Sequence, residues 1–186
     1  SEAMLKTGTN GRGISPRRAS VVRLGVDTGV FSPPAAQSFY AHDAFGVPRN
    51  RRVVYYSGHM EPRKGVGVIM KAAIHLVDVL GIADVQFLLC GNRDGEELVY
   101  TRALEGTLAA QHVTFGGYRS DVARLMQSAA VGTIASTGWD SFTMSAVELM
   151  ASGVPLVVSR LQGLAETVVE GETGFTFSPG AHEELA

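Results

Sequence analysis

Two acidic residues toward the C-terminal end of the chain have a spacing that could serve ligand binding. Asp140 and Glu148 are eight positions apart, and Glu148 stands between Val147 and Leu149 in an otherwise apolar segment. A carboxylate in apolar surroundings costs free energy unless it is paired or hydrogen-bonded. Glu148 therefore lies either on a solvated stripe of a packed helix or in a cleft, where it would accept hydrogen bonds from ligand hydroxyls.

A helix between these two carboxylates would set the distance between them. Eight residues of α-helix rise by about 12 Å, so Asp140 and Glu148 cannot share one proton. They could hold the two ends of an extended ligand, with a helix N-terminus available to an anion between them. Asp140 and Ser141 are residue types that cap helix N-termini, whereas Gly153 and Pro155 are typical of the place where a helix stops.

A basic pair provides a candidate anion site. Arg63 and Lys64 end the segment G-H-M-E-P-R-K and stand at a predicted helix start. The helix dipole favours acidic residues at that position, so two cations there are in conflict with it. A bound anion such as a diphosphate would remove the conflict, and the alternative is a solvated basic turn.

Two further loops offer ligand contacts. Tyr118 and Arg119 present flat faces on which a base could stack, although Tyr118 could equally be an ordinary exposed aromatic. The segment around Gly163 could cradle phosphate with backbone N–H groups at a helix start. Glu166 in the same segment could be no more than an acid that suits the first turn of a helix.

The elements that must position these residues alternate from Arg51 onward. Short apolar runs typical of buried strands are separated by segments with helical periodicity. Such alternation predicts an α/β fold, a Rossmann-like doubly wound parallel sheet of about six strands, with ligands bound beyond the C-terminal strand ends. The predicted strands are 53–57, 85–90, 113–115, 131–135, 156–159 and 174–177, and the predicted helices are 65–80, 95–109, 121–129, 142–151 and a turn or two in 164–169.

The first 50 residues carry weaker signals. Residues 1–8 are predicted to be helical, residues 19–24 to form a short strand, and the Pro-rich stretch 33–48 to lack regular structure. The chain starts and ends within helical patterns, which predicts a fragment of a longer protein.

Composition limits the class of protein. The formal net charge of −2 does not indicate nucleic-acid binding. The single cysteine, Cys90, lies in an apolar run typical of a core. The five histidines are scattered, so no metal site is predicted, and no apolar run is as long as a membrane span. These features predict a soluble, cytoplasmic α/β domain.

The segment from Asp140 to Val158 resembles the signature of retaining glycosyltransferases with the two-domain GT-B fold, family 4 type (glycosyl transferases group 1). That signature is an acid, seven residues and Glu, followed by A-M-A-x-G-x-P-V-V. This chain has Asp140, Glu148 and then L-M-A-S-G-V-P-L-V-V. It departs at the first acid, which the family usually has as Glu. Residues 25–33 resemble the family's G-V-D-x-x-x-F-x-P, which marks the crossing between the two domains, and the resemblance covers 21–186.

The resemblance implies roles for individual residues. The family's Lys binds the donor diphosphate and matches Lys64, whereas its Arg falls on His59, a second departure for which Arg63 could substitute. The family's two acids contact the donor sugar and the donor ribose, which implies Asp140 for the sugar and Glu148 for the ribose. The other donor-binding positions implied are Gly58, His59, Tyr118, Arg119, Ser141, Phe142 and Gly163.

The resemblance also implies a domain organisation and a reaction. Residues 1–32 would be a remnant of the N-terminal domain with the linker, and residues 33–186 a nucleotide-sugar-binding domain truncated at its C-terminus. The reaction would transfer a sugar from a nucleotide diphosphate sugar to an acceptor hydroxyl, with retention and without metal or other cofactor. The acceptor, a sugar or lipid-linked glycan, would need the missing N-terminal domain, so this fragment alone is predicted to be inactive. Peripheral association of the full-length protein with the inner face of the membrane stays open.

Two alternatives remain at this stage. One is another enzyme on the same fold, such as a nucleotide-sugar epimerase or a phosphorylase, although the acid-x7-Glu segment argues against an epimerase. The other is a non-catalytic, nucleotide-binding relative, which the departures at His59 and Asp140 suggest.

Overall fold

A computed structural model describes residues 1–186, and a six-stranded, all-parallel sheet forms its centre. The strands are β1 (Arg52–Ser57), β2 (Val85–Cys90), β3 (Val113–Gly117), β4 (Val131–Ile134), β5 (Leu156–Ser159) and β6 (Gly174–Phe177). Their order across the sheet is β3-β2-β1-β4-β5-β6, and every pairing is parallel. All six predicted strands are therefore present, with bounds that differ from the predicted ones by at most two residues at either end.

The strand order reverses direction between β1 and β4, the two central strands. From β1 the chain adds β2 and β3 on one side, and it then returns to add β4, β5 and β6 on the other side. The loops that follow β1 and β4 consequently diverge from a shared crevice at the C-terminal edge. This is the place where open α/β sheets bind their ligands.

Helices cover both faces of the sheet. They are α1 (Glu2–Gly11), α2 (Tyr40–Phe45), α3 (Val66–Ile74, continued by a π-helical segment His75–Val79), α4 (Leu98–Arg102), α5 (Val122–Met126), α6 (Met144–Ala151) and α7 (His182–Leu185). None of them is both long and apolar enough to span a membrane.

Consecutive tyrosines on β1 show how the core divides. Tyr55 packs in a cluster with Leu149 of α6, whereas Tyr56 packs in a second cluster with Ile69 of α3. Neighbouring side chains of a strand point to opposite faces, so both faces of this central strand are buried. All six residues of β2 are buried as well, which explains its uninterrupted apolar sequence.

Three expectations for local structure are wrong. Residues 19–24 form no strand, because no neighbouring strand pairs with them and Val22 is 86% exposed. The stretch 33–48 contains α2, a helix that buries Ala41 and His42. The predicted helix 95–109 is reduced to α4 and a separate 3-10 segment, Leu108–His112, and Gly106 between them has a left-handed φ of 78° that no α-helix accommodates.

Candidate functional site

A close backbone contact brings the loop after β1 against the end of β4. Gly65 has a φ of 75°, and a Cβ built on it would lie 1.7 Å from the carbonyl oxygen of Ala135. Only glycine fits both the left-handed conformation and this contact. The Thr137 N–H also donates to the Arg63 carbonyl over 2.8 Å, which ties the two loops together. As a result, Lys64 lies beside the loop that connects β4 and α6.

Lys64 forms an ion pair with Asp140 in this crevice. The Lys64 Nζ lies 2.9 Å from Asp140 Oδ2, and the two side chains are only 18% and 7% exposed. Ser136 Oγ donates to the same Oδ2 over 2.6 Å, and the Ser141 N–H donates to Oδ1 over 3.0 Å. The protein thus satisfies both oxygens of the Asp140 carboxylate. Sequence reasoning missed Ser136, because a serine after a buried strand carries no signal of its own.

The helix that follows starts later than the sequence predicts. Neither Asp140 nor Ser141 caps it, because α6 begins only at Met144 and its N-cap is Thr143, which has extended backbone angles. Thr143 makes no capping bond either, and its Oγ1 is buried without a hydrogen-bond partner. The backbone N–H groups of Ser145 and Ala146 make no hydrogen bond within the protein. This N-terminus therefore offers unused donors and the positive end of a helix dipole.

Two adjoining cavities follow this edge of the sheet. The first has a volume of about 290 Å³, and Lys64 and the N-terminus of α6 both line it. The second has a volume of about 330 Å³ and is lined by Arg93 and Tyr118 among others. Both cavities share Ser57, Gly58 and His59, so they form one groove across the ends of β1, β2 and β3.

The floor of the second cavity is backbone and a buried thiol. Gly91 has a φ of 111°, and a Cβ on it would lie 2.3 Å from the Gly58 carbonyl oxygen, so the strand ends meet there without side chains. The prediction that Cys90 is a small core residue is confirmed, since it is 1% exposed. Burial raises the pKa of the Cys90 thiol to about 11, which keeps it protonated and unreactive near neutral pH.

Glu148 lies one turn beyond the residues of α6 that line the first cavity. It is half-buried, its carboxylate makes no hydrogen bond within the protein, and it is not among the lining residues. Met144 and Ser145 precede it by four and three positions, which places all three on one helix face. Ala146 and Leu149 occupy the opposite, fully buried face. Glu148 is thus the one carboxylate on this side of α6 that has no partner in the protein.

We expect Glu148→Gln to raise the melting temperature of the chain near pH 7. Burial raises the pKa of Glu148 in the folded state. Between the unfolded and the folded pKa the folded chain binds more protons, so stability falls as pH rises through that window. At neutral pH the charged carboxylate therefore destabilises the fold, and a neutral amide removes this effect. Below the unfolded-state pKa of about 4.3 the advantage should disappear.

The measurement is thermal denaturation of both proteins at the two pH values. Glu105 is exposed and has no ion pair, so Glu105→Gln is the matched control and should leave the melting temperature unchanged. A lower melting temperature for Glu148→Gln near pH 7 would show that the carboxylate stabilises the fold instead.

The remaining basic and aromatic candidates differ in their exposure and in whether they already have a partner in the protein. Arg63 is exposed and pairs with Glu61 at 2.7 Å, so its charge is already partnered. His59 is exposed at the junction of the two cavities. Tyr118 is 86% exposed and has an open ring face. Arg119 donates from Nε to Asp121 over 2.8 Å, a contact that lowers the pKa of Asp121 well below its usual range.

In the loop predicted to cradle phosphate, the Glu166 side chain contacts the N-terminal helix. Glu166 accepts hydrogen bonds from the backbone N–H groups of Glu2 and Ala3, at 2.9 and 2.8 Å, and so holds the N-terminus of α1. Partial burial acts to raise the pKa of Glu166, but these donors outweigh it and lower the pKa. A Cβ on Gly163 would lie 2.4 Å from Ser1 Oγ and 3.0 Å from the Phe142 nitrogen, so Gly163 lies between the start of the chain and the segment that precedes α6. No three His, Cys, Asp or Glu side chains group closely enough to hold a metal ion.

The fold and the site together define a Rossmann-like domain with a crevice at the switch point of its sheet, lined by Lys64 and the N-terminus of α6. Residues 51–186 match the family model described as glycosyl transferases group 1. The chain belongs to this family, which confirms the resemblance seen in the sequence.

Individual relatives agree with this assignment. The chain is 30% identical to a D-inositol 3-phosphate glycosyltransferase of Corynebacterium glutamicum, over 86% of its own length and 39% of that protein. It is 37% identical to a phosphatidyl-myo-inositol mannosyltransferase of Mycobacterium tuberculosis, over 69% of its length and 33% of that protein. The chain thus spans 33–39% of the length of these curated relatives.

Solved structures confirm the predicted fold class. A glycosyltransferase from Rickettsia africae superposes with a TM-score of 0.90 at 20% identity, over all of this chain and 50% of that one. HepE from Anabaena in complex with UDP superposes with a TM-score of 0.86 at 25% identity, with the same coverage. The six-stranded sheet is therefore that of one half of a GT-B glycosyltransferase.

Proposed function

We propose that this chain is the donor-binding domain of a retaining glycosyltransferase, which transfers a sugar from a nucleotide diphosphate sugar to an acceptor hydroxyl. The observation that carries the proposal is the convergence of Lys64 and the open N-terminus of α6 on one cavity. Both features stabilise a diphosphate. The groove then continues to Tyr118, whose free ring suits a base. HepE, a structural neighbour, has been solved with UDP and with UDP-glucose, which supports this class of ligand.

The chemical roles follow from charge. As the bond between sugar and diphosphate breaks, negative charge develops on the leaving phosphate, and preorganised donors aimed at that charge lower the barrier. Lys64 and the backbone of α6 would provide these donors, with His59 or Arg63 assisting, and no metal ion is invoked. Glu148 would accept hydrogen bonds from the ribose. Asp140 would contact the sugar once the diphosphate has taken Lys64.

The organisation of the whole protein is part of the proposal. Residues 1–32 would belong to the N-terminal domain and the linker, and residues 33–186 to the donor-binding domain. The acceptor would bind mainly to the N-terminal domain. The whole protein would act on the cytoplasmic side and take part in glycan biosynthesis. Because positioning and water exclusion need both walls of the cleft, this chain alone should transfer no sugar. It should bind a nucleoside diphosphate with a free energy of roughly −4 to −8 kcal/mol.

A thermal-shift screen of UDP, GDP and ADP, each beside its own nucleoside, tests the proposed function. At least one diphosphate should raise the melting temperature through mass action on the folded state, and its nucleoside should raise it less. If no diphosphate stabilises the chain at concentrations up to several millimolar, the proposed function is wrong.

A variant of Glu148 tests the ribose contact. Glu148→Gln should weaken binding of the diphosphate and of its nucleoside equally, by about 0.5–1.5 kcal/mol, because an amide oxygen is a weaker acceptor than a carboxylate. A deoxyribose analogue should show little difference between the two proteins. Calorimetry decides: unchanged affinity of a folded Glu148→Gln variant for the ribonucleoside would remove Glu148 from the site.

A non-catalytic nucleotide-binding relative is the second candidate. It is favoured by the ion pair that already compensates the charge of Lys64, and by His59 in place of a permanent cation. Measured donor hydrolysis by the full-length protein separates the two functions, since only the transferase should release nucleoside diphosphate from a donor.

A further inference from the structure

The charge of Lys64 is compensated before any ligand arrives. Its ammonium group lies 2.9 Å from Asp140 Oδ2, in a crevice where both side chains are largely withdrawn from water. The other basic groups nearby do not alter this local balance, because Arg63 is exposed and paired with Glu61. The first cavity therefore contains one cation and one anion, although its proposed ligand carries several negative charges.

A diphosphate entering this cavity must compete with Asp140 for the same cation. Charges interact more strongly in such a partly desolvated site than in water, so the carboxylate holds Lys64 and also repels an arriving anion. Asp140 does not need Lys64 for its own solvation. Ser136 Oγ and the Ser141 N–H still donate to the carboxylate when the ammonium leaves. The exchange leaves Asp140 without a cation but with two hydrogen-bond donors, and these donors reduce the free-energy cost of separating the pair.

We propose that Asp140, whose charge is partly stabilised by the Ser136 hydroxyl, is an internal counter-ion that competes with the diphosphate for Lys64. This inference rests on the proposed function and assigns a further task to the same site. When the diphosphate binds, Lys64 moves to phosphate and Asp140 keeps its two neutral donors. When the product diphosphate leaves, Asp140 takes Lys64 back. The exchange lowers affinity for the product and so promotes its release.

Asp140→Asn tests the competition, since it removes the charge at nearly constant shape. We expect this variant to bind a nucleoside diphosphate about tenfold more tightly than the wild type, and its nucleoside equally well. Asp140→Glu keeps the charge and is the matched control, so its affinity should stay within about threefold of the wild type. Calorimetry gives the affinities, and thermal denaturation confirms that each variant is folded.

Ser136→Ala provides a second test, in which the diphosphate affinity should change in the opposite direction. Without the hydroxyl donor, the charge on Oδ2 is shared with fewer groups and holds Lys64 more strongly. The variant should bind the diphosphate about two- to threefold more weakly, with nucleoside affinity unchanged. This result does not depend on whether Asp140→Asn folds.

The outcomes distinguish a failure of the counter-ion role of Asp140 from a failure of the proposed function. A wild-type chain that binds no diphosphate would overturn the proposed function and the counter-ion with it. A wild type that binds diphosphate, beside a folded Asp140→Asn variant of equal or lower affinity, would overturn the counter-ion alone. Stronger diphosphate binding by Ser136→Ala would also contradict it, because a carboxylate with one donor fewer should hold Lys64 more tightly and compete more.

Discussion

Replacing Gly65 with alanine should lower the free energy of unfolding by about 3–5 kcal/mol. Gly65 has a left-handed φ of 75°, where an L side chain is strained. The added Cβ would also lie 1.7 Å from the Ala135 carbonyl oxygen, and no side-chain rotation can relieve a clash between two backbone segments. The loop after β1 would have to move away from β4. Urea denaturation of both proteins measures the loss.

Gly67 offers a control in which the free energy of unfolding should change in the opposite direction. Gly67 lies in α3, and a Cβ on it would meet no atom within 4 Å. Gly67→Ala should therefore stabilise the chain, by about 0.5–1 kcal/mol, through helix propensity alone. If Gly65→Ala stays within about 1 kcal/mol of the wild type, the close contact between the two loops is not as described.

Lys64→Ala should weaken binding of a nucleoside diphosphate by about 1.5–3 kcal/mol. The interaction lost is a charge-assisted contact to phosphate, so binding of the nucleoside should change by less than about 0.5 kcal/mol. The variant leaves Asp140 with only Ser136 and Ser141 as partners, so its fold must be checked by thermal denaturation. Calorimetric titrations with both ligands give the difference.

Lys71 is the matched control for this change in charge. It is exposed on α3 and makes no ion pair, so Lys71→Ala should leave both affinities unchanged. Equal losses of nucleoside and diphosphate affinity in Lys64→Ala would show that Lys64 does not contact phosphate.

The sheet could be predicted from the sequence because local patterns determine it. The apolar run Val85–Cys90 is buried in full, and turns rich in glycine separate such runs from helical segments. Errors arose where tertiary contacts decide the outcome. An extended apolar stretch such as 19–24 becomes a strand only if another strand pairs with it. The helix α2, which the Pro-rich stretch 33–48 concealed, buries Ala41 against the core.

The site was predictable in its residue types but not in its pairings. The conflict between Lys64 and the helix dipole indicated an anion, and the acid-x7-Glu segment indicated two ligand carboxylates. That Lys64 pairs with Asp140, 76 positions away, depends on β1 and β4 being neighbours, which no local pattern encodes. Asp140 and Ser141 have the chemistry of caps, but α6 begins only at Met144, and its N-cap Thr143 makes no capping bond, so the helix N-terminus stays open. That open end is what gives the crevice its unused donors.

An amide NMR titration with the diphosphate that stabilises the chain best tests the location of the site most directly. Shifts should concentrate at the C-terminal edge of the sheet, at Gly58, Gly65, Gly91, Tyr118 and Ser145. The opposite edge carries a competing basic cavity of about 220 Å³, lined by His42, Arg49 and Arg51 among others. The resonances of the amides around that cavity should stay in place while those of the first group shift. Shifts centred on that second cavity, with Gly65 and Ser145 unaffected, would contradict it.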